Sequence, residues 1–573
     1  MISRPPPPQD RPTRPSRQGV AALVVPPFAP TRWPSLGVHA LAAAADRPVE
    51  IRYSSLRLAA ELGPALAEAL SRPPGHWLLG ERLFARAAHG LPPLGGPLAL
   101  DGGEAWLEET RLDAAGLLAL EGGLPAWVEA EAEALAAYGL IGFSVSFEQL
   151  NAAIALARAV RRRAPQIPLW IGGAAASGEQ GAALTAWFDA VFSGEAEGAF
   201  RDALGRWHRG EALPAGLILC DLPDVSALPA QDLRPWWAQV REALPEVAPE
   251  SLWLAAETSR GCAWGRCAFC GLNGAIHAPR ALSPQAARDR VAQTLAPFPT
   301  ERLTLADNLL GRPTRRALLE GPGRLFAEVR PDLTLDEASA MAARGWEVQA
   351  GIEALSTPLL DLLGKGTRLR QVLQTLLAAR ETGLPLHWNL LYGIPGDTLP
   401  QWEAVLALLP LLRHLPPPAS LSPIRLDRFA PYAQEPSRYG ISALRTPAGW
   451  AAAFPPQLHP SAPWWEGEVP AASLAPALLE RISGAIADWR GAWSRSRPTL
   501  QLQRVQGAWL LSDSRGRPPV ALPMREDQAR ALLSDGAALL SWRLRQGYAV
   551  WADDRPLPLV TAAAGLRSLL QEP

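Results

Sequence analysis

The chain has 573 residues, of which 48% are hydrophobic and 19% charged, and its 55 Lys and Arg nearly balance its 56 Asp and Glu. This composition predicts a soluble globular protein of about three domains, and it gives no reason to expect nucleic acid or an anionic membrane as a partner. No apolar run is long enough to span a bilayer, and the Pro- and Arg-rich residues 1–19, predicted to be a disordered tail, lack the apolar core of an export signal. Three of the four cysteines fall within nine residues, which favours a reducing, cytoplasmic location over a disulfide framework.

The first block, residues 20–230, alternates short β-like runs with helical stretches. Each run is followed by a glycine, serine or proline turn, and Leu150–Arg163 has the apolar spacing of a helix. Strand, small-residue turn and helix in repetition predict a doubly wound α/β domain with a parallel sheet. The strand candidates are Ala21–Val25, Leu140–Phe147, Pro168–Gly172 and Ala190–Ser193.

After a predicted linker at residues 231–249, residues 250–440 again alternate strand and helix patterns. About six β/α units in this stretch predict a partial (β/α)6 barrel. Residues 441–573, with helical Leu474–Trp493 and β-like Leu500–Leu511, predict a smaller α+β domain that either caps the barrel mouth or binds a substrate peptide. The barrel strand candidates are Leu303–Leu305, Arg324–Glu328, Val348–Ile352, Leu386–Leu391 and Leu421–Arg428.

Cys262, Cys267 and Cys270 have the spacing C-x4-C-x2-C. Three thiolates on one loop suit three corners of an iron–sulfur cube, and the fourth iron is then open to the amino and carboxylate groups of a ligand such as S-adenosylmethionine (SAM). Structural zinc is the alternative, with His277 as the fourth ligand. The loop follows the strand-like run Leu252–Ala256, and this position, where barrel active sites form, favours the cluster.

The segment SRGCAWGRCAFCGLNG around these cysteines resembles the cluster loop of cobalamin-dependent radical SAM enzymes, specifically the group that matures ribosomally made peptides. Further segments resemble the same family in the same order, and the resemblance extends over residues 20–440. Three features depart from the family pattern: the four-residue gap between the first two cysteines, Asp397 in place of Glu, and Ala430 in place of Ser. The matching segments are residues 326–330 (FAEVR), 349–355 (QAGIEAL), 365–367 (KGT), 388–397 (WNLLYGIPGD) and 426–432 (LDRFAPY).

The resemblance implies a SAM site at the ends of the barrel strands. Gly271 is expected to meet the methionine amino group, and Phe269 is expected to stack near adenine. Glu353 is expected to bind the ribose hydroxyls or the amino group, with a core salt bridge to Lys365 or to an arginine as the alternative. The other expected SAM-binding residues are Glu328, Gly351, Gly393 and Ile394.

The resemblance also implies cobalamin on the first block. Small residues after consecutive strands suit a corrin nucleotide tail at the switch point of a doubly wound sheet. The D-x-H-x-x-G motif is absent and the corresponding turn holds Pro26-Pro27-Phe28, so we expect cobalamin without a histidine ligand below cobalt. The alternative is a nucleotide-binding or purely structural domain. The expected cobalamin-binding residues are Ser144, Ser146, Gln149, Gly172, Gly173, Gly194 and Glu195.

Together these patterns predict an enzyme, a cobalamin-dependent radical SAM C-methyltransferase acting on a peptide or a peptide-derived intermediate. Glu328, against SAM or the cluster, and Tyr392, in proton transfer, are the candidate catalytic residues. The expected cofactors are a [4Fe–4S] cluster, SAM and cobalamin, and the expected partner besides the substrate is an electron donor such as flavodoxin or ferredoxin. The alternatives are a rearrangement, a cyclisation or a non-radical methylation with the same cofactors, and a zinc-stabilised binding protein.

Overall fold

The computed structural model describes residues 17–98, 103–274, 278–516, 518–535 and 537–562. The described residues form two compact units, each built from several stretches of chain. The first unit takes its residues from 1–258, 280–304 and 445–465, and the second from 259–279, 305–444 and 466–573. Boundaries between the two units therefore fall inside both of the predicted blocks, 250–440 and 441–573. Within the described part of the chain, no helix is long and apolar enough to cross a membrane.

The first unit contains a six-stranded parallel sheet in the order β2-β1-β3-β4-β5-β6. The strand order reverses between β1 and β3, which is the switch point of a doubly wound sheet, and the predicted α/β class is confirmed. Apolar side chains fill β1, β3 and β5 because these strands are covered on both faces. The strands are β1 (Arg17–Val25), β2 (Val49–Tyr53), β3 (Tyr138–Ser144), β4 (Leu169–Gly172), β5 (Ala190–Ser193) and β6 (Gly216–Leu219).

Among the described residues before 244, the first unit has ten α-helices. The predicted helix Leu150–Arg163 is present with the predicted bounds. The predicted linker at 231–249 contains α10, whose apolar side chains Trp236 and Val240 share one buried face. The helices are α1 (Leu36–Ala44), α2 (Ser54–Leu62), α3 (Pro64–Leu70), α4 (Leu79–His89), α5 (Glu104–Thr110), α6 (Ala114–Leu135), α7 (Leu150–Arg163), α8 (Glu179–Leu184), α9 (Glu197–His208) and α10 (Arg234–Ala243).

The core of the first unit lies between the sheet and helices α4, α6 and α7. Phe84 and Trp127 meet edge-on there, with ring centroids 6.2 Å apart. Trp450 and Phe454 stack at 4.0 Å and join the same core. This stretch belongs to the block predicted as a separate C-terminal domain, and its burial assigns residues 445–465 to the first unit. The remaining elements of the unit include the strand Leu254–Ala256 and the helices Pro284–Leu295 and Ala448–Ala453.

The second unit has parallel strands separated by helices, as the sequence predicts. Arg324–Val329, Glu347–Ala350 and Leu386–His387 are neighbours in that order. The predicted strand Leu386–Leu391 is broken at Trp388, so that Asn389–Tyr392 pairs with Ser420–Pro423. Bulky Trp388 is fully buried, and its indole N–H donates to Pro416 O at 3.0 Å, which fixes the break. The helices are Arg312–Leu319, Leu335–Ala343, Thr357–Leu362, Leu369–Thr382 and Leu399–Leu408.

The C-terminal part of the second unit is α+β, as predicted. The β-like run Leu500–Leu511 is a hairpin of Leu500–Val505 and Ala508–Asp513, because Gln506 and Gly507 both have positive φ and turn the chain. Val520–Met524 and Thr561–Ala562 extend this sheet on either side. The other elements are the hairpin Ala549–Ala552 with Arg555–Pro558 and the helices Pro476–Ser496, Glu526–Leu533 and Leu540–Arg545.

Candidate functional site

The three clustered cysteines lie on one loop of the second unit and line the same cavity. This cavity has a volume of about 450 Å³, and its wall also includes Asn273 and Phe429. The Cys262 backbone N–H donates to Asn273 Oδ1 at 2.8 Å, which closes the loop upon itself. Within the described residues, no three His, Cys, Asp or Glu side chains are grouped to hold a single metal ion. Three thiols that line a common cavity suit three corners of an iron–sulfur cluster.

Two backbone hydrogen bonds anchor the middle of the cysteine loop. Ala268 N–H donates to Leu363 O at 2.9 Å, and Tyr432 N–H donates to Ala268 O at 2.9 Å. Burial raises the pKa of the Cys270 thiol to about 11 and also raises the pKa of Cys267. A cluster would therefore have to displace thiol protons when it binds. The alternative zinc ligand His277 lies outside the described residues, and the remaining cysteine, Cys220, belongs to the first unit, where it is half-buried.

The extra residues in the first cysteine gap hold the loop in place. Trp264 donates from Nε1 to Gly364 O at 2.9 Å. The Arg330 guanidinium lies 4.4 Å from the centre of the Trp264 ring and donates to Lys365 O and Gly366 O. Gly366 has a φ of 61°, and a Cβ there would lie 2.1 Å from the indole. Trp264 therefore fits only against glycine at position 366.

Glu353 and Lys365 form an ion pair at 3.2 Å, so the salt bridge that the sequence left as an alternative is present. Glu353 has a φ of 67°, an uncommon conformation for this residue type that turns the chain out of the strand Glu347–Ala350. A Cβ at Gly351 would lie 2.7 Å from Lys365 Nζ, so glycine leaves the space that the ammonium group needs. Lys365 Nζ also lies 5.6 Å from the ring centre of Phe269. These residues place one charged pair beside the cysteine loop.

Glu328 lies on the strand next to this pair. Burial and the negative charge of Glu353 raise the pKa of Glu328, while Lys365 opposes the shift. The phenol of Tyr392 is half-buried and burial raises its pKa. Among the described residues, the Tyr392 hydroxyl has no hydrogen-bond partner. The role of Tyr392 in proton transfer stays a prediction.

The Gly393 turn is held by two linked hydrogen bonds that sequence reasoning missed, which run from Gly393 to Ser473 and from Ser473 to Asp397 and are called the Ser473–Asp397 relay. Gly393 has a φ of 70°, and its N–H donates to Ser473 Oγ at 2.7 Å. Ser473 N–H donates to Asp397 Oδ1 at 3.1 Å, and Trp402 Nε1 donates to Asp397 Oδ2 at 2.9 Å. Ile394 is fully buried, so only its backbone is available to a ligand. Asp397, the residue that departs from the family's Glu, thus orients the turn that the resemblance assigns to adenine.

Gly271 makes a close contact with the chain itself. A Cβ there would lie 3.0 Å from Asp427 Cβ and 3.5 Å from Phe429 N. Glycine is needed at this position because the segment Leu426–Asp427 passes close by, a reason that the sequence did not reveal. The predicted contact with a methionine amino group stays a prediction.

The predicted cobalamin residues follow the carboxyl ends of β3, β4 and β5 in the first unit. Gly173 has a φ of 104°, and a Cβ there would lie 2.3 Å from Val145 O. Gly194 also has a positive φ, of 105°. Gly173 lets the turns after β3 and β4 approach closely at the edge where ligands of doubly wound sheets bind. Gly172 ends β4, and Ser144 ends β3 and is half-buried.

Two of the predicted cobalamin residues are engaged in internal contacts. Gln149 is 3% exposed; its Oε1 accepts from the Ser146 N–H and hydroxyl at 2.8 and 2.9 Å, and its Nε2 donates to Pro26 O at 2.8 Å. Gln149 thus ties the turn after β3 to the turn after β1. Glu195 is ion-paired with Arg280 and one-fifth exposed. Both side chains position the turns, and their contact with a corrin stays a prediction.

A pair of carboxylates at the same edge, buried Glu81 and half-buried Glu148, was missed by sequence reasoning. Glu81, in the first turn of α4, accepts from the N–H groups of Leu150 and Asn151, which begin α7. Glu148, which precedes α7, accepts from Gly80 N–H at 2.6 Å in α4. Glu81 of α4 therefore caps the start of α7, and Glu148, which precedes α7, caps the start of α4. Burial raises the pKa of Glu81 to about 7 and that of Glu148 to about 8, outweighing these hydrogen bonds.

Residues 256–409 match the radical SAM superfamily, and this match includes the three cysteines, Glu328, Glu353 and the Gly393 turn. A search of curated proteins finds no match.

Two solved structures share the fold. The cobalamin-dependent S-adenosylmethionine radical enzyme OxsB, with aqua-cobalamin bound, matches with a TM-score of 0.53 at 14% identity over 80% of this chain and 66% of its own. The chain thus spans slightly less than two thirds of OxsB. The radical S-adenosylmethionine methyltransferase TsrM from Kitasatospora setae, with tryptophan substrate and a SAM analog bound, matches with a TM-score of 0.53 at 14% identity over 82% of this chain and 88% of its own.

Proposed function

We propose that this protein is a cobalamin-dependent radical SAM methyltransferase that methylates a carbon centre of a peptide or a peptide-derived intermediate. The observation that carries the proposal is the cavity lined by Cys262, Cys267 and Cys270 within a segment that matches the radical SAM superfamily. The doubly wound sheet of the first unit, with its close glycine turn at Gly173, supports a cobalamin site. The fold shared with OxsB and TsrM supports the same combination of cofactors.

When bound, the cluster and SAM supply a carbon-centred radical by reductive cleavage of the sulfonium, and cobalamin supplies a carrier for the methyl group. The chain's own residues bind and orient these groups. Gly393 and Ile394 offer backbone groups that the Ser473–Asp397 relay holds in place. Lys365 and Glu353 offer opposite charges to the polar parts of SAM. Burial and the negative charge of Glu353 raise the pKa of Glu328, the residue that we propose contacts SAM or the cluster.

The preference for a peptide substrate rests on the sequence resemblance around residues 326–432 to the group that matures ribosomally made peptides. A rearrangement or cyclisation with the same cofactors would leave the sites unchanged and alter only the product. Methylation adds one carbon and two hydrogens to the product, a gain of about 14 Da, which separates it from those reactions.

The first test is anaerobic reconstitution with iron, sulfide and hydroxocobalamin, followed by measurement of all three per chain. We expect about four iron, four sulfide and one cobalamin. A variant with Cys262, Cys267 and Cys270 all changed to Ala should lose iron and keep cobalamin. The matched control is Cys220→Ala, which removes the remaining cysteine and should keep both. Bound zinc without sulfide would contradict the proposal.

The second test is turnover. The reconstituted protein, SAM, a reductant and candidate precursor peptides should yield S-adenosylhomocysteine, 5′-deoxyadenosine and a methylated peptide. A product without the mass gain would refute methylation while leaving the radical SAM assignment intact. Absence of both SAM-derived products with every peptide tried would refute the enzyme assignment.

A further inference from the structure

The two edges of the six-stranded sheet in the first unit differ in how they are protected. At one edge, β2 carries charged Glu50 and Arg52, and the side chain of Gln239 in α10 occupies outer backbone groups of the strand. Gln239 Nε2 donates to Ile51 O at 2.8 Å, and Gln239 Oε1 accepts from the Tyr53 N–H at 2.9 Å. An edge strand is a template for another strand, and charges and covering side chains of this kind prevent such pairing.

The strand at the opposite edge, β6, has free backbone groups. The N–H groups of Gly216 and Cys220 donate to backbone oxygens on the β5 side of the sheet. Backbone groups alternate in direction along a strand, so those of Leu217 and Leu219 point away from β5. Among the described residues, neither leucine has a hydrogen-bond partner on this outer side. The edge of β6 therefore presents two donors and two acceptors.

The side chains along the β6 edge are apolar and exposed. Leu219 is 77% exposed and Leu217 is 38% exposed, and Leu222, just beyond the strand, is exposed as well. The sequence has no charged residue between Glu211 and Asp221, so this edge lacks the charges that keep edge strands apart. Leu217 and Leu219 are two positions apart and project from the same face of the sheet. An apolar edge with free backbone groups favours pairing with another strand.

The β6 edge is complementary to a second copy of itself. When two β6 strands run antiparallel about a twofold axis at Ile218, Leu217 of each copy lies opposite Leu219 of the other. Each such pair exchanges two hydrogen bonds, so that all four free groups of both edges are satisfied. The four leucines then lie together on one face, and the two Ile218 side chains meet on the other. The chain's net charge of −1 leaves little long-range repulsion between two copies.

We propose that this protein forms a homodimer by antiparallel pairing of its β6 strands, which joins the two six-stranded sheets into one continuous sheet. A single short strand buries a small interface, so we expect a dissociation constant of roughly micromolar size. The dimer requires no bound cofactor, and its test is therefore separate from that of the proposed function.

The first test is the mass of the full chain in solution, measured by analytical ultracentrifugation from about 1 µM to about 100 µM. Leu219→Lys places a charge on the β6 edge, and Leu118→Lys is the matched control because Leu118, 45% exposed, lies on α6 of the same unit. We expect the wild type and Leu118→Lys to reach twice the mass of one chain. Leu219→Lys should dissociate with a constant at least about tenfold higher, because its ammonium group would be buried between the two edges.

The second test is cross-linking at defined positions, which does not depend on how Leu219→Lys folds. The two Ile218 residues would form a non-hydrogen-bonded pair with Cα atoms about 4.5 Å apart, within the range of a disulfide. The two Leu219 residues would be diagonal neighbours about 7–8 Å apart, beyond that range. In a Cys220→Ala background, Ile218→Cys should therefore form an intersubunit disulfide with oxidised glutathione, and Leu219→Cys should not.

A wild type that stays at the mass of one chain throughout would overturn the proposal. An unchanged dissociation constant in Leu219→Lys, or an equal loss in Leu118→Lys, would overturn it too, because the copies would then meet elsewhere or nonspecifically. Cross-linking of Leu219→Cys in preference to Ile218→Cys would refute the antiparallel register. If the wild type is monomeric and a precursor peptide binds it more tightly than Leu219→Lys, the β6 edge is a peptide surface instead. Failure to take up iron and sulfide would refute the proposed function and leave the mass measurement valid.

Discussion

Replacing Gly366 with alanine should loosen the cysteine loop. The new Cβ would lie 2.1 Å from carbon atoms of the Trp264 indole, far inside the contact distance of two carbons. The Trp264 side chain has to move, because the new Cβ is fixed to the backbone of residue 366 and cannot rotate away. Its movement breaks the hydrogen bond from Nε1 to Gly364 O and separates the ring from Arg330.

The magnitude follows from these contacts. Alanine in the left-handed conformation costs about 1–2 kcal/mol, a cost that any glycine of positive φ would show. Loss of the hydrogen bond adds about 1 kcal/mol, and loss of the cation–π contact adds about 0.5–1 kcal/mol. The steric part therefore comes to roughly 2 kcal/mol, which is about thirtyfold in the equilibrium constant for opening the loop.

Hydrogen exchange of the iron-free protein measures this opening directly. The reporters are the N–H of Cys262, bonded to Asn273, and the N–H of Ala268, bonded to Leu363 O. The matched control is Gly383→Ala. Gly383 has a φ of 73°, and nothing lies within 4 Å of its added Cβ, so this variant carries the conformational cost without the clash.

Exchange in the cysteine loop should accelerate at least about thirtyfold in Gly366→Ala, since the conformational cost adds to the lost contacts, and stay unchanged in Gly383→Ala. Reconstituted Gly366→Ala should also hold less iron per chain, because the loop no longer presents its three cysteines together. Equal protection of the loop in the two variants would refute the view that Trp264 anchors it.

Three further changes test the rest of the site. Gly173→Ala should reduce cobalamin per chain severalfold and leave iron unchanged, because its Cβ would clash with the backbone of the preceding turn and push apart the edge that we assign to cobalamin. Glu148→Gln should raise the urea midpoint at pH 8.5 and flatten the pH dependence of that midpoint. Burial raises the pKa of Glu148 to about 8, so the folded chain holds a proton that the unfolded chain releases. The stability of the wild type therefore falls as pH rises from about 5 to 8. Asp397→Asn should weaken SAM binding about tenfold at unchanged iron content, because an amide has one oxygen and cannot replace both carboxylate oxygens, which accept from Ser473 N–H and from Trp402 Nε1.

Each change has a control. Gly63→Ala also places alanine at positive φ, 81°, but in open space, and equal cobalamin loss in both variants would point to general destabilisation. Glu133→Gln removes an exposed carboxylate of the same unit and should leave the pH profile unchanged; an unaltered profile in Glu148→Gln would contradict its protonated state. Ser473→Ala should weaken SAM binding as Asp397→Asn does. Normal affinity for SAM in both variants would show that the Ser473–Asp397 relay has no part in SAM binding.

The sequence determined the features that depend on neighbouring residues. Helix Leu150–Arg163 and strand Ala190–Ser193 have the predicted bounds because the spacing of apolar residues along the chain determines such elements. The same holds for the cysteine spacing, which fixes three thiols on one loop wherever the loop lies. Longer apolar runs were divided less well, since a break such as that at Trp388 depends on what the indole N–H finds elsewhere in the fold.

The tertiary structure alone decided which distant residues support the site. Ser473 reaches the Gly393 turn across 80 positions of sequence, and Glu148 reaches Gly80 across 68, and no local pattern records either contact. The tryptophan in the cysteine gap is visible in the sequence, but the glycine that accommodates it and the arginine that covers it lie on two other loops. The sequence by itself shows which reactive residues the chain contains. The residues that orient them come from distant segments, which only the fold packs against the site.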